Sequence, residues 1–343
     1  MHGAPIQEED VIWCYREILG RHPESAAAIR SHLSAAKDFR SLVSRFIKSA
    51  EHRQKMAPPD FVPLDRPDMT IDLAASAAEL PLMVQGVRAA WTHLGLVRPH
   101  HSVLTAPEFL PESIDEASIE QFYASGDPGV AVIAAVLRRY GFSDPGSKVC
   151  IEYGCGLGRM TLSLARTFKQ VIGYDISASH LAMARRRATE TGVGNVDFQL
   201  CATGRPIPRL APCDFFCSFI VFQHNPPPVI RELIRAALRS LRPGGIAIFQ
   251  VPTYQQGYAF QVREYLARPR SLDMEMHCIP QDVVFALVAD DHCRILEVRE
   301  DGWIGRGHSI SNTFVVKRPG GQPRLWKRLA NMVRSRGQVR PRA

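Results

Sequence analysis

The sequence has no apolar run of about 18 residues, the length that a membrane-spanning helix needs. It has no apolar signal core near its start either, because the first residues lead into the polar segment Gln7–Asp10. Its eight cysteines include no C-x-x-C pair and no histidine at zinc-finger spacing. These absences predict a cytoplasmic protein and disfavour both a disulfide framework and a structural zinc site.

Acidic residues are missing from the end of the chain. The whole sequence has 42 Lys and Arg against 34 Asp and Glu, but ten of the basic residues and none of the acidic ones follow Asp301. The preceding residues therefore hold 32 basic against 34 acidic side chains. The excess positive charge belongs to the tail, so it gives no reason to predict nucleic-acid binding.

The basic tail, residues 319–343, has two interpretations. Within 323–335, Leu325, Leu329, Met332 and Val333 would share one face of a helix, with basic side chains elsewhere. Such a helix could lie on the anionic inner face of a membrane, giving peripheral contact. The alternative is a solvated tail without fixed structure.

Residues 8–55 contain two runs of apolar residues at helical spacing, separated by Gly20 and Pro23. The segment Tyr15–Arg21, together with Pro23 and Ser49–Glu51, resembles the short helical module called domain of unknown function 4214. We therefore predict a small all-helical module at 8–55. The alternative is a helical hairpin that packs on the main domain.

Prolines between Ala57 and Pro67 predict a linker at 56–70, since proline cannot continue a helix. Helical patterns follow at 72–97 and 117–141, with irregular chain predicted around 101–105. These helices lead into the segment that carries the most informative motif.

A glycine-rich turn follows the apolar strand pattern 148–153 and precedes a helical pattern. This arrangement lets backbone amides approach a bound nucleotide. The glycines stand at Gly154, Gly156 and Gly158, in the order G-x-G-x-G. A dinucleotide fingerprint would need its third glycine at position 159, where the chain has Arg159, so a pyrophosphate site is disfavoured.

A second strand pattern, Val171–Ser177, contains Asp175, 17 residues after Gly158. An acid at the end of this strand can accept hydrogen bonds from both hydroxyls of a ribose. A helix cap is the structural alternative for Asp175, but the glycine turn and the acid together favour a nucleoside site.

With these motifs the sequence resembles the class I S-adenosylmethionine-dependent methyltransferases over about residues 145–318. Further landmarks are the strand patterns 196–200, 213–222 and 246–251, the Pro243–Gly245 turn and two late strand patterns at 293–299 and 312–316. We interpret Pro243 and Gly244 as the end of a helix, with glycine as its left-handed cap. The resemblance implies a Rossmann-like, doubly wound α/β sheet of seven strands, with the methyltransferase domain at 71–318.

The resemblance also implies the cofactor, S-adenosylmethionine, and residues that bind it. Glu152 and the three glycines would hold the methionine part, and Asp175 with Ile176 would hold the ribose and adenine. Phe219 is a further candidate for the cofactor side. The family often has an Asp after the third strand to bind adenine; here that position reads Cys201–Gly204, and Thr203 is the candidate.

Methyl transfer to a hydroxyl benefits from a base, and histidine has a suitable pKa. His224 follows the fourth strand at the edge where ligands bind, although a purely structural role is the alternative. His277, in the insertion after the fifth strand, is a candidate base or acceptor contact. Tyr123 and Tyr254 are candidate acceptor contacts, although aromatic residues at such spacings often belong to the core.

The sequence therefore predicts a methyltransferase with a small-molecule or glycan acceptor. Modules of the 4214 type resemble ones found beside enzymes of bacterial surface polysaccharide assembly, which points to a sugar or polysaccharide-precursor hydroxyl. One alternative is methylation of a small metabolite or lipid, marked by a narrow apolar pocket beneath residues 255–280. Another is a non-catalytic scaffold that keeps the fold.

Overall fold

A computed structural model describes residues 6–56, 62, 65–201, 204–304 and 308–320 of the chain. The chain divides into two compact units, Met1–Phe61 and Val62–Ala343. The predicted adenine contact Thr203 and the tail segment 323–335 lie outside the described residues. Among the described helices, none combines the length and the apolar character that crossing a bilayer requires.

The described residues of the first unit form four helices: α1 (Glu8–Leu19), α2 (Ala26–Ala35), α3 (Phe39–Ile47) and α4 (Ala50–Met56). The second predicted apolar run is divided because Asp38 starts a new helix, its carboxylate accepting a hydrogen bond from Ser41 N at 2.7 Å. Tyr15, Leu42 and Phe46 are buried at the centre of the unit. Tyr15 and Phe46 meet edge to face, with ring centroids 5.0 Å apart.

The second unit alternates strands and helices. In chain order its elements are β1 (Thr70–Ile71), α5 (Glu79–Val97), α6 (Pro99–Val103), α7 (Glu116–Ala124), α8 (Gly126–Arg139), β2 (Val149–Tyr153), α9 (Arg159–Ala165), β3 (Gln170–Asp175), α10 (Ala178–Glu190), β4 (Val196–Leu200), β5 (Cys213–Ser218), α11 (Pro227–Ser240), β6 (Leu241–Gln255), β7 (Ala259–Phe260), α12 (Val262–Ala267), α13 (Gln281–Asp290), β8 (Arg294–Asp301) and β9 (Ser309–Lys317).

Within the described part of the chain, seven strands form the main sheet in the order β4-β3-β2-β5-β6-β9-β8. Strands β2 to β6 pair in parallel, whereas β9 is antiparallel to β6 and to β8. Phe215, Phe216 and Phe249 are fully buried, as expected for central strands covered by helices on both faces. This order confirms the predicted Rossmann-like fold of the class I methyltransferases.

The order of the strands also determines where a ligand can bind. The chain leaves β2 toward β3 on one side and later places β5 on the other side of β2. This change of direction opens a crevice at the carboxyl ends of the strands, the usual ligand position in open α/β sheets. The glycine turn, Asp175 and the loop after β5 all lie at this edge.

Two predictions for the chain that precedes the sheet were wrong: the start of one helix and a stretch of irregular chain. Helix α5 begins at Glu79 rather than near residue 72, because Ser76 N donates to Glu79 Oε2 at 2.8 Å and Ser76 Oγ accepts from Glu79 N at 3.2 Å. This reciprocal pair fixes a helix start. The chain around 101–105 begins as a short helix instead of irregular chain, with Pro99 in its first turn.

The predicted glycine cap at the end of α11 was also wrong. The cap residue is Leu241 in an extended conformation, and Gly244 has a φ of 87° within the range of β6. Gly245 allows the backbone of β6 to lie close to two carbonyl oxygens. A Cβ atom there would lie 2.9 Å from the carbonyl oxygen of Arg242 and 3.0 Å from that of Asp214.

Candidate functional site

The loop after β2 is tied closely to both neighbouring strands. Gly154 has a φ of 76°, in the left-handed region that favours glycine. Its amide donates to the Tyr174 carbonyl oxygen on β3 at 2.7 Å. A Cβ atom on Gly154 would lie 2.2 Å from Val221 Cγ2. Glycine therefore allows the loops after β2 and β5 to pack against each other.

Asp175, the last residue of β3, holds the same glycine loop. Its Oδ2 accepts a hydrogen bond from Gly156 N and its Oδ1 accepts one from Ser177 N, each at 2.8 Å. The residue is 8% exposed. A carboxylate has about four lone-pair positions, so these two amides leave capacity for ligand hydroxyls.

A buried acid, Glu152, and a half-buried cation, Arg159, lie beside the loop. Glu152 accepts a hydrogen bond from Thr161 Oγ1 and makes no ion pair with any described residue. Burial raises the pKa of Glu152 to about 7, although the Thr161 hydroxyl and the Arg159 guanidinium favour its charged form. Arg159 Nη1 donates to the Ser125 carbonyl oxygen at 2.8 Å, and burial lowers the pKa of Arg159.

These residues line one cavity of about 400 Å³. Its wall combines α5, the segment 102–105, the loop after β2, the end of β3 and the loop after β5. Trp303 and two methionines of the insertion after β6, Met274 and Met276, complete it. Apolar side chains with a few converging polar groups are typical of small-molecule sites.

His224 lines the cavity just beyond β5 and is 7% exposed. Its Nδ1 lies 2.8 Å from the Glu275 carbonyl oxygen. A carbonyl only accepts hydrogen bonds, so Nδ1 carries the proton in the neutral ring and Nε2 is the basic nitrogen. Burial lowers the pKa of His224 to about 4, and the ring is therefore neutral at pH 7.

Residues 274–277 lie against the loop that follows β5. The chain is attached there at two points, because His277 N donates to the Gln223 carbonyl oxygen at 2.7 Å and His224 bonds to the Glu275 backbone. Met274 and Met276 line the cavity, whereas Glu275 and His277 bond to each other at 3.2 Å outside it. This alternation gives the cavity an apolar cover.

Ile220, in the same loop, has a φ of 55°, which is unusual for a β-branched residue. Its amide donates to Oε1 of Gln250 on β6 at 3.0 Å. Nε2 of Gln250, which is fully buried, donates to Gln223 Oε1 at 3.0 Å and to Ser311 Oγ at 2.6 Å. One glutamine thus holds a strained part of the cavity wall.

Replacing Gln250 with leucine is expected to lower the free energy of unfolding by about 2 kcal/mol, because buried polar groups lose their partner. Urea denaturation measures this change. The same substitution at Gln121, exposed on α7, is the control. A loss at Gln250 no larger than the loss at Gln121 would contradict this account of the loop.

Residues 150–245 match the family model described as "Methyltransferase domain". The ubiquinone biosynthesis O-methyltransferase of Erwinia tasmaniensis is 33% identical over 105 residues, which are 30% of this chain and 42% of that protein. The 23S rRNA (uracil(1939)-C(5))-methyltransferase RlmD of Methylococcus capsulatus is 42% identical over 108 residues, 31% of this chain and 21% of that protein. The chain thus spans less than half the length of these curated relatives.

Residues 150–245 are a methyltransferase domain. The sheet that contains them has the strand order of the class I methyltransferases, enzymes that use S-adenosylmethionine. A solved structure of magnesium protoporphyrin IX methyltransferase from Synechocystis PCC 6803 with bound SAH aligns with a TM-score of 0.48 and 18% identity, covering 68% of this chain and 98% of that one. The resemblance of the N-terminal module to domain of unknown function 4214 stays a prediction.

The structure of the methyltransferase domain brings most of the predicted site residues together. Those that line the cavity are Glu152, Gly154, Gly156, Asp175, Ile176, Phe219 and His224. Gly158 caps α9 beneath the loop, with a φ of 81°. His277 lies in a polar cluster outside the cavity, where its Nδ1 is 2.7 Å from the Tyr258 hydroxyl.

The two tyrosines predicted to contact the acceptor lie outside the cavity lining. Tyr123 packs beneath Arg187, whose guanidinium carbon is 4.5 Å from the ring centroid. The Tyr254 hydroxyl donates to the Pro67 carbonyl oxygen at 3.2 Å. Both side chains are therefore held by protein contacts, which leaves their contact with an acceptor a prediction.

Sequence reasoning missed several residues of this cavity. Trp91 on α5 is the largest of them, and its ring centroid lies 5.1 Å from that of His224. Met274 and Met276 were not singled out, although the insertion that contains them was expected to cover the pocket. The helical pattern of 72–97 did not indicate that Trp91 lines a cavity, because a tryptophan on an apolar helix face is usually part of the core.

Proposed function

We propose that the protein is an S-adenosylmethionine-dependent O-methyltransferase that acts on a small molecule. The observation that carries the proposal is the shared cavity of the glycine loop, Asp175 and Glu152 at the carboxyl edge of the sheet. The charged residues there match the ammonium and carboxylate groups of the cofactor's methionine part. Glu152 is buried and forms no ion pair with a described residue, and Arg159 offers a positive charge to a carboxylate.

When bound, the cofactor supplies a methyl group on a positively charged sulfur, ready for displacement. The contribution of the protein is then mainly to hold the reacting groups in line. Asp175 would accept hydrogen bonds from the ribose hydroxyls while it fixes the loop through Gly156. Glu152 would pair with the ammonium group, and Trp91, Met274 and Met276 would exclude water.

We further propose His224 as the group that accepts the acceptor's proton. Its Nδ1 hydrogen is committed to the Glu275 carbonyl, so Nε2 holds the available lone pair. Its low pKa keeps that lone pair unprotonated throughout the neutral range, and it also makes Nε2 a weaker base than a histidine with a pKa near 7. The proton would leave the hydroxyl for Nε2 as the oxygen–carbon bond forms.

The cavity wall favours an apolar or aromatic ring as the part of the acceptor that carries the hydroxyl. Trp91, Met274, Met276 and Trp303 supply this wall, and methionine adapts to flat apolar ligands. Methylation of a metabolite or lipid is expected to use a narrow apolar pocket beneath residues 255–280, and Met274 and Met276 of that segment line the cavity. The sugar or polysaccharide-precursor hydroxyl suggested by the 4214-type resemblance is supported by no contact of the cavity, and we place it second.

The cofactor assignment can be tested by calorimetry on the full chain. We expect S-adenosylmethionine and S-adenosylhomocysteine to bind with micromolar dissociation constants. NAD should not bind, because Arg159 replaces the third glycine of a dinucleotide site. A folded protein that binds neither adenosyl compound would overturn the proposal and favour the non-catalytic scaffold.

A transfer assay then addresses the acceptor. Radiolabelled S-adenosylmethionine would be incubated with catechol-type phenols and with free and nucleotide-linked hexoses. Methylation of the phenols alone supports the apolar acceptor, whereas methylation of the hexoses alone supports the sugar assignment.

A further inference from the structure

A second recess, of about 110 Å³, lies between α5 and residues 265–275 of the insertion after β6. Leu82, Gly86 and Ala90 line it from the helix side. It shares Val87, Trp91 and His224 with the cofactor cavity. A ligand in the recess would therefore reach His224, the proposed base, from a different side than the cofactor does.

Gly86 keeps this recess open. It lies within α5, where glycine costs about 1 kcal/mol of helix stability relative to alanine. A Cβ atom there would meet no described atom closer than Tyr265 Oη, at 3.9 Å. Packing therefore does not require glycine at this position, and a side chain would extend into the recess.

Among the described charges at the recess, Arg270 is a cation that forms no ion pair. Glu275 pairs with Arg268 at 2.5 Å, and Asp273 pairs with Arg98 at 3.0 Å. Arg270 also lines the recess, and it makes no ion pair with any residue that the structure describes. The recess is thus apolar along the helix and positively charged at Arg270.

We propose that this recess binds the non-reacting part of the methyl acceptor and that Arg270 pairs with an anionic group on it, a carboxylate or a phosphate. The acceptor then reaches from Arg270 past Trp91 and places its hydroxyl at His224. This inference rests on the proposed function, since it assigns the substrate class of the same site. Guanidinium recognises both anions through paired N–H donors.

Calorimetry on protein saturated with S-adenosylhomocysteine tests the recess with three probes: 3,4-dihydroxybenzoate, 4-hydroxyphenyl phosphate and catechol. We expect at least one anionic probe to bind about tenfold more tightly than catechol, as for a charge-assisted hydrogen bond. The preferred anion distinguishes carboxylate from phosphate. Arg270→Gln should remove the preference, whereas Arg263→Gln, an exposed arginine of α12 outside the recess, should keep it.

Gly86→Leu provides a second test that leaves every charge in place. The added side chain should weaken binding of all probes about tenfold or more while S-adenosylhomocysteine binds as before. Gly86→Ala is the matched variant that keeps most of the space. Equal preference in the Arg270 and Arg263 variants, unchanged binding in Gly86→Leu, or no probe binding to a protein that holds S-adenosylhomocysteine would overturn the inference. Failure to bind S-adenosylhomocysteine itself would count against the proposed function instead.

Discussion

Asp175→Ala is expected to weaken binding of S-adenosylhomocysteine by about 100-fold or more, because in the proposed function one carboxylate binds both the ligand and the loop. The change removes the proposed acceptor for the ribose hydroxyls. It also leaves the amides of Gly156 and Ser177 without their partner in a buried place. Each such loss costs about 1–3 kcal/mol, so the free energy of unfolding should fall as well.

Calorimetry and urea denaturation on the same samples separate these two effects. Asp197→Ala, on the neighbouring strand β4, is the control, because Asp197 is exposed and lies outside the cavity. A variant at Asp175 that unfolds more easily but binds the ligand as tightly as the control would assign this residue to the loop alone. Asp175→Asn adds a further comparison, since its amide oxygen still accepts one of the two backbone hydrogen bonds.

The core of the fold could be predicted because its signals are local. The apolar strand, the G-x-G-x-G turn and Asp175 lie within 30 residues, and the three glycines have positive φ angles that few other residues allow. Helix ends were less predictable. The start of α5 depends on the Ser76–Glu79 pair, and Gly244 near the end of α11 serves the strand that follows.

The acceptor side could not be predicted to the same degree, because residues far apart in the chain form it. Trp91 and His224 are separated by 133 positions, yet their ring centroids lie 5.1 Å apart. His277 was singled out in the right insertion, but the structure turns Met274 and Met276 toward the cavity and His277 toward Tyr258. Sequence spacing does not reveal which side of an irregular segment faces a pocket.

Glu152→Gln is expected to stabilise the ligand-free protein at high pH and to weaken its ligand binding. Folding raises the pKa of Glu152 from an ordinary 4.5 to about 7, so the folded state holds the proton more tightly than the unfolded state does. The contribution of Glu152 to the free energy of unfolding is therefore highest below pH 4.5 and is lost as the pH rises through 7. The difference corresponds to about 3 kcal/mol.

Glutamine has no charge to desolvate and can still accept a hydrogen bond from Thr161. We expect the variant to exceed the wild type in unfolding free energy by about 3 kcal/mol at pH 8 and by only about 1 kcal/mol at pH 5. Denaturation at the two pH values measures this, with Glu300→Gln, exposed on β8, as the control. Equal stability of Glu152→Gln and the wild type at pH 8 would show that Glu152 is not held at a desolvation cost.

The same charge should make cofactor binding release a proton. An ammonium group beside Glu152 favours the ionised carboxylate, so near pH 6.5 the wild type should lose a fraction of a proton when S-adenosylhomocysteine binds. Calorimetry in buffers with different ionisation enthalpies detects this release, which the glutamine variant should lack. The ligand 5′-methylthioadenosine has no ammonium group and should release no proton from either protein. Proton release with that ligand would place the coupling at another group than Glu152.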